Sequence, residues 1–287
     1  MNDSLTAADP RPAVRARVRG RLPVVRKPGL HFGPEIPRWW LHDNPVLTHA
    51  ANGLHLVFPE GERFFIRSVK HYLDQLDDPQ LLARCRAFFG QEARHGQEHE
   101  KSFEMLRGQG YHVDRFLEFY EGRALPTIEG AISPALRLSV TVALEHLTAT
   151  LGESVLSDDF LDGAHPELER LLRWHACEEI EHKSVAFDVY QEVDGRYTVR
   201  IAGMVLGMTA LMAFWTLATR MLLAEEKSTS KVQWRRYREQ ARGLRGGHIG
   251  RLFRRAFVDY LDPNFHPDQN DNLGLAESYL QRAGLSG

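Results

Sequence analysis

The sequence predicts an all-α fold: a four-helix bundle with a long crossover between its second and third helices, followed by an extra long apolar helix and C-terminal helices. Three observations carry this. Four stretches, approximately 57–77, 79–108, 133–158 and 165–193, place apolar residues every three or four positions, the spacing of an amphipathic helix. Their connections run short, long, short, and the long one spans Gln109 to Ile132 with Gly122, Pro126 and Gly130 inside it. No region is rich in strand-like alternation, and no repeat of fixed period occurs.

Residues 1–53 are rich in Pro, Gly and His and read as a basic N-terminal arm and irregular lead-in. Seven basic residues fall between Arg11 and Lys27, broken by Pro12 and Pro23, with no apolar core of export length. The arm reads as solvated and extended, with a short strand through Val14, Ala16 and Val18, or as a contact to an anionic surface. Lacking an export signal and having only Cys85 and Cys177, the chain is expected in the cytoplasm. The bundle is assigned to 54–195. Pro79 and Pro166 suit first helical turns, and Gly108 and Gly110 close the second helix.

A fifth long helix, 196–226, contains Ile201–Thr219, nineteen residues without a formal charge between Arg200 and Arg220. That is the length of a membrane span. Gly203, Gly207, Thr209, Thr216 and Thr219 dilute its apolar character, so docking on the inner face of a membrane and burial in a soluble core fit equally. A basic stretch from Lys231 to Arg255 and short helices near 250–260 and 273–284 complete an extension, 196–287, packed on the bundle.

The charge balance, 36 basic against 38 acidic residues, argues against a nucleic-acid partner. Two cysteines exclude a disulfide scaffold and a cysteine-rich zinc module. No nucleophile elbow, phosphate-cradling glycine loop or serine triad is evident. The 14 histidines are the unusual count, and their positions direct the reading.

On the second helix Leu81, Cys85, Phe88, Glu92, His95, His99, Phe103 and Leu106 share one stripe. On the fourth, Leu168, Leu172, His175, Glu179, His182, Ala186, Val189 and Val193 do the same, with Arg170, Arg173 and Lys183 off it. Burying a bare carboxylate is costly, so each needs a partner. The first helix aligns Glu62 with Phe58, Phe65 and Val69, and places Glu60 on the polar side with Arg67. The third aligns Glu145 with Leu138, Val142 and Ala149, in preference to Glu153. Ion pairing to Arg63, Arg94 or Arg137 is one way to satisfy these carboxylates. A pair of metal ions is the other, because two Glu-x-x-His motifs plus a Glu from each remaining helix is the ligand arrangement of ferritin-like di-metal proteins. His99, Glu178 and His146 are the candidates for contacts behind the ligands, although His146 lies off the stripe.

At FPEGERFF (58–65), FFGQEARHGQEHE (88–100), ALEH (143–146), WHACEEIEHKSVAFDVY (174–190) and FVDYLDPNFHP (257–267) the sequence resembles a ferritin-like family labelled predicted metal-dependent hydrolases, over roughly residues 15–270. The run His175-x-x-x-Glu179-x-x-His182 is also similar to the di-iron arylamine N-oxygenases of antibiotic biosynthesis, in which the extra histidine ligates iron. That second resemblance implies Glu62, Glu92, His95, Glu145, His175, Glu179 and His182 as ligands of two iron ions, with manganese or zinc as alternatives. Gln91 departs from it, since those oxygenases tend to carry an acid there, as does the apolar helix at 201–219.

The leading expectation is therefore a di-iron oxygenase or oxidase that uses O2 and an electron donor to oxidise a small organic substrate, N-oxygenation being one such reaction. Phe65, Phe88 and Phe89 are expected to line its pocket. The alternatives are a di-metal hydrolase in which a bridging hydroxide attacks the substrate, and a metal-storage or membrane-tethered scaffold. A homodimer and membrane contact through 201–219 are compatible partners.

Overall fold

Prolines and side-chain caps set the helix starts in the computed structural model, which describes residues 20–226, 231–245 and 248–285. Asn44 Oδ1 accepts from the amides of Val46 and Leu47 and opens α1 (Pro45–Lys70). Asp78 opens α2 (Pro79–Gly108) through the Gln80 amide. The crossover holds α3 (Asp114–Phe119), a π-helical turn at Tyr120–Ala124 and α4 (Leu125–Ala131). Ser133 caps α5 (Pro134–Ser157), and His165 caps α6 (Pro166–His182), which is followed by α7 (Val185–Val193). Then come α8 (Tyr197–Ala224), α9 (Lys231–Arg245), α10 (His248–Tyr260) and α11 (Leu273–Arg282). All-α is the class: among the described residues no strand occurs, only an isolated bridge between Leu41 and Ala164.

The helices α1, α2, α5 and the α6–α7 pair surround one core, with α8 laid against α1 and α5. Close approach of α8 requires glycine. A Cβ at Gly203 would come within 2.6 Å of the Ser139 carbonyl carbon, and one at Gly53 within 2.9 Å of the Thr219 amide nitrogen. The far side of α8 keeps Val205 and Leu217 about half exposed. This helix is long and apolar enough to cross a membrane, by length and composition alone.

The structure corrects several expectations. The first helix begins at Pro45, not 57, so the lead-in is shorter than 1–53. Its early turns bury His49, Asn52 and His55, whose polarity hides the apolar stripe. Their partners are remote: Glu226 for His49, Trp40 Nε1 for Asn52, His99 for His55. The helix ends at Lys70, not 77, and the chain passes through a 3₁₀ turn at Leu73–Gln75. The fourth helix breaks at Lys183–Ser184. Lys183, expected off the buried face, is only 7% exposed. Its Nζ donates to Asn270 O and Asn272 Oδ1, because the C-terminal segment folds over it. The strand suggested through Val14, Ala16 and Val18 lies outside the described residues.

Two polar anchors hold the outer elements. Glu226, just past α8, accepts from His49 Nε2, Trp39 Nε1, Arg38 Nε and the Tyr111 hydroxyl. Arg200 is buried among the rings of Tyr197, Tyr260, Phe265 and Phe187 and donates to Tyr260 O and Asp262 O.

Candidate metal centre

Each bundle helix delivers donors to one buried volume. From α1 comes Glu62, from α2 Glu92 and His95, from α5 Glu145, and from α6 His175, Glu179 and His182. All seven expected residues fall in three overlapping groups: Glu62, His95 and His175; Glu92, His95 and Glu179; Glu92, Glu145 and His182. Within each group one donor atom per residue lies within 4.8 Å of the others. Shared Glu92 and His95 link the groups into one continuous cluster.

Their orientation matters more than their proximity. Both oxygens of Glu62, Glu92 and Glu145, with His95 Nδ1 and His182 Nε2, are buried without a hydrogen-bond partner. His182 Nε2 lies 3.0 Å from Glu92 Oε1 and 3.3 Å from Glu145 Oε2, yet bonds neither directionally. Each of these five side chains offers a donor atom to at least one of the three groups. Burial, then neighbouring carboxylates, pushes Glu62 and Glu92 well above the usual carboxylate range, and burial pushes Glu145 up to about 7. Burial opposes charging His182, but Glu145, Glu179 and Glu92 outweigh it and raise its pKa. The cluster is short of positive charge. Arg63, Arg94 and Arg137 do not supply it, since they pair with Glu60 and Glu100, with Glu98 and with Glu129. Four carboxylates and three imidazoles, eight of whose donor atoms are bare, fit divalent cations of the iron, manganese or zinc kind.

A second layer of contacts holds the imidazoles. His182 Nδ1 donates to Gln91 Oε1 at 2.9 Å, which leaves Nε2 facing the carboxylates. The Gln91 amide nitrogen in turn donates to Glu181 Oε2 and Val24 O, and Arg26 grips Glu181 with two N–H groups at 2.7 and 2.8 Å. His95 Nε2 lies 3.1 Å from Glu178 Oε2, leaving Nδ1 bare, and Glu178 also accepts from Trp174 Nε1. His175 Nδ1 lies 2.7 Å from His99 Nε2, and His99 Nδ1 lies 2.8 Å from His55 Nδ1. His175 Nε2 lies 2.8 Å from Glu179 Oε1; a cation held there would leave the His175 proton on Nδ1, with the protons of this chain directed outward toward His55.

Not every expected residue reaches the centre. Glu178 and His99 do, as described. His146 does not: its Nε2 bonds Ala256 O, and it faces a polar cleft with Lys183 on the far side of α5. Phe88 packs its edge on His182 and Phe89 packs on Phe88, and neither lines the apolar cavity beside the centre. Phe65 does, in an apolar cavity of about 70 Å3 shared with Phe58, Tyr120, Thr148, Leu211 and Phe214. Sequence reasoning missed Arg26, Gln91 as the holder of His182, and Thr148, whose hydroxyl donates to Glu179. Phe58 was on the α1 stripe, and its spacing from Glu62 was the available signal. Arg26 had none.

A family model described as predicted metal-dependent hydrolase matches residues 24–271, which takes in every donor and every contact behind them. Neither the curated proteins nor the solved structures yield a significant match to the chain.

Proposed function

The chain belongs to the family of predicted metal-dependent hydrolases, and from that premise we propose that its Glu–His cluster binds two metal ions and is the centre of a metal-dependent hydrolytic reaction. One observation carries the reading: eight donor atoms of five buried side chains have no hydrogen-bond partner and face one volume. Glu92, Glu145 and His182 would hold one ion; Glu62, His95 and His175 the other; Glu179 lies beside both positions. Such ions, when bound, supply Lewis acidity toward a carbonyl or phosphoryl oxygen and lower the pKa of water.

The chain's own residues prepare that chemistry. Gln91 holds His182 Nδ1, Glu178 holds His95 Nε2 and His99 holds His175 Nδ1, so the ring nitrogen that each imidazole turns inward is fixed. Thr148 orients Glu179. Phe58 and Phe88 pack against His175 and His182 and exclude water from that side.

A second reading, O2-dependent oxidation, is favoured by one observation: the third imidazole, His175, joins a glutamate-rich set beside an apolar cavity. The two separate experimentally. Elemental analysis counts the metal; then esters, amides and phosphoesters are tested for hydrolysis, and ferrous protein prepared without air is tested for O2 consumption. Hydrolysis that chelation removes and zinc or manganese restores supports the proposal. O2 consumption without hydrolysis overturns it in favour of oxidation, and absence of any bound metal overturns both.

A further inference from the structure

We infer that the apolar cavity beside the centre binds a single aliphatic chain and presents the reacting end of that molecule at Thr148. For the reaction this rests on the function proposed above; for the binding it does not.

The walls come from α1, the crossover, α5 and α8, and no charged side chain lines them. Two hydroxyls do, and both are already engaged: Tyr120 donates to Val57 O and Thr148 to Glu179. A polar ligand entering here would lose its hydration and find no free partner, which costs more than an apolar one gains. The cavity, about 70 Å3, suits a slender chain.

The inner end is fixed by two residues. Thr148 joins the cavity to Glu179, and the Phe58 ring lies 4.9 Å from that of His175. Gly61, next to Glu62, leaves room there: a Cβ would meet nothing nearer than the Tyr120 hydroxyl at 3.8 Å. The outer end is walled by Leu206, Leu211 and Phe214, all partly exposed. They belong to the uncharged run 201–219, so an aliphatic chain reaches the mouth over apolar surface.

The test titrates metal-loaded protein with n-alkanols from butanol to decanol by calorimetry. These probes have neither charge nor a hydrolysable bond, so binding is read independently of the reaction. Affinity is expected to rise about fourfold per added methylene until the cavity is filled. Gly61→Leu, which fills the inner end, and Ala210→Trp, which fills the α8 wall, should each weaken decanol binding at least tenfold with metal content unchanged. A flat dependence on chain length overturns the inference, as does wild-type affinity in both variants. Metal content and ester hydrolysis, measured on the same preparation, report separately: loss of hydrolysis with alkanol binding intact refutes the reaction and leaves the site standing.

Discussion

Gln91→Leu removes the residue that ties the N-terminal arm, α6 and a metal-facing imidazole together. The side chain is fully buried, and leucine has a similar volume, so the change is one of hydrogen bonding rather than packing. Three contacts are lost: to His182 Nδ1 at 2.9 Å, to Glu181 Oε2 at 2.9 Å and to Val24 O at 3.0 Å. Glu181 keeps both Arg26 N–H groups. Val24 O and the His182 Nδ1 proton are left bare, and at about 1–3 kcal/mol for each orphaned group the loss is about 2–6 kcal/mol. Burying the leucine side chain offsets about 1–2 kcal/mol of it. Metal affinity should fall roughly 10–100-fold, the usual effect of removing a contact behind a ligand. Gln91→Glu separates the two effects. It returns an acceptor to His182 but sets a second carboxylate beside Glu181, so affinity should be retained while stability falls. Chemical denaturation of the chelated protein reads the first quantity, and competition with a chromophoric chelator reads the second. Wild-type metal affinity in Gln91→Leu, with only stability lost, would refute the role given to Gln91.

Other predictions follow from the same geometry. Metal at 100 times its dissociation constant should stabilise the protein by about 2.7 kcal/mol, and Glu92→Ala should abolish that increment; an unchanged increment in denaturation curves would remove Glu92 from the ligand set. Burial opposes ionisation of Glu226, but hydrogen bonds from His49, Tyr111 and Trp39 outweigh it and lower its pKa from 4.5 to about 2. Because the folded value is depressed, the advantage of wild type over Glu226→Gln should be full above about pH 4.5 and decline toward pH 2. Acid unfolding of the pair checks this, and an advantage already lost near neutrality would contradict it. Arg200→Leu strands Tyr260 O and Asp262 O and ends the cation–π contacts, so urea denaturation should show a loss of about 3–5 kcal/mol; under 1 kcal/mol would mean that α8 is held to the C-terminal segment by packing alone.

Helical periodicity is a local property, and whatever depends on it alone was readable from the residues. It selected Glu62 over Glu60, which the structure finds paired with Arg63 and Arg67 away from the cluster. It selected Glu145 over Glu153, which accepts from Asn270 and Asn272. It put Glu92 and His95 on one inward face and His175, Glu179 and His182 on another, because steps of three and four residues keep side chains on one side of a helix. Where buried polar residues interrupt the stripe, as at His49, Asn52 and His55, the same reasoning lost the start of α1.

What lies behind the centre had no local signature. Arg26 reaches Glu181 across 155 residues and Gln91 reaches His182 across 91, so each role exists only once the arm and helices pack. His146 shows the converse: an imidazole beside a site residue in sequence is turned by one step of the helix onto another face of α5, where it bonds Ala256 O. The sequence by itself determined which carboxylates and imidazoles turn inward, because helix geometry is set within a few residues. Only the tertiary structure decided that their donor atoms meet in one cluster beside an apolar cavity, because that depends on how separate helices cross and on what lies behind each side chain.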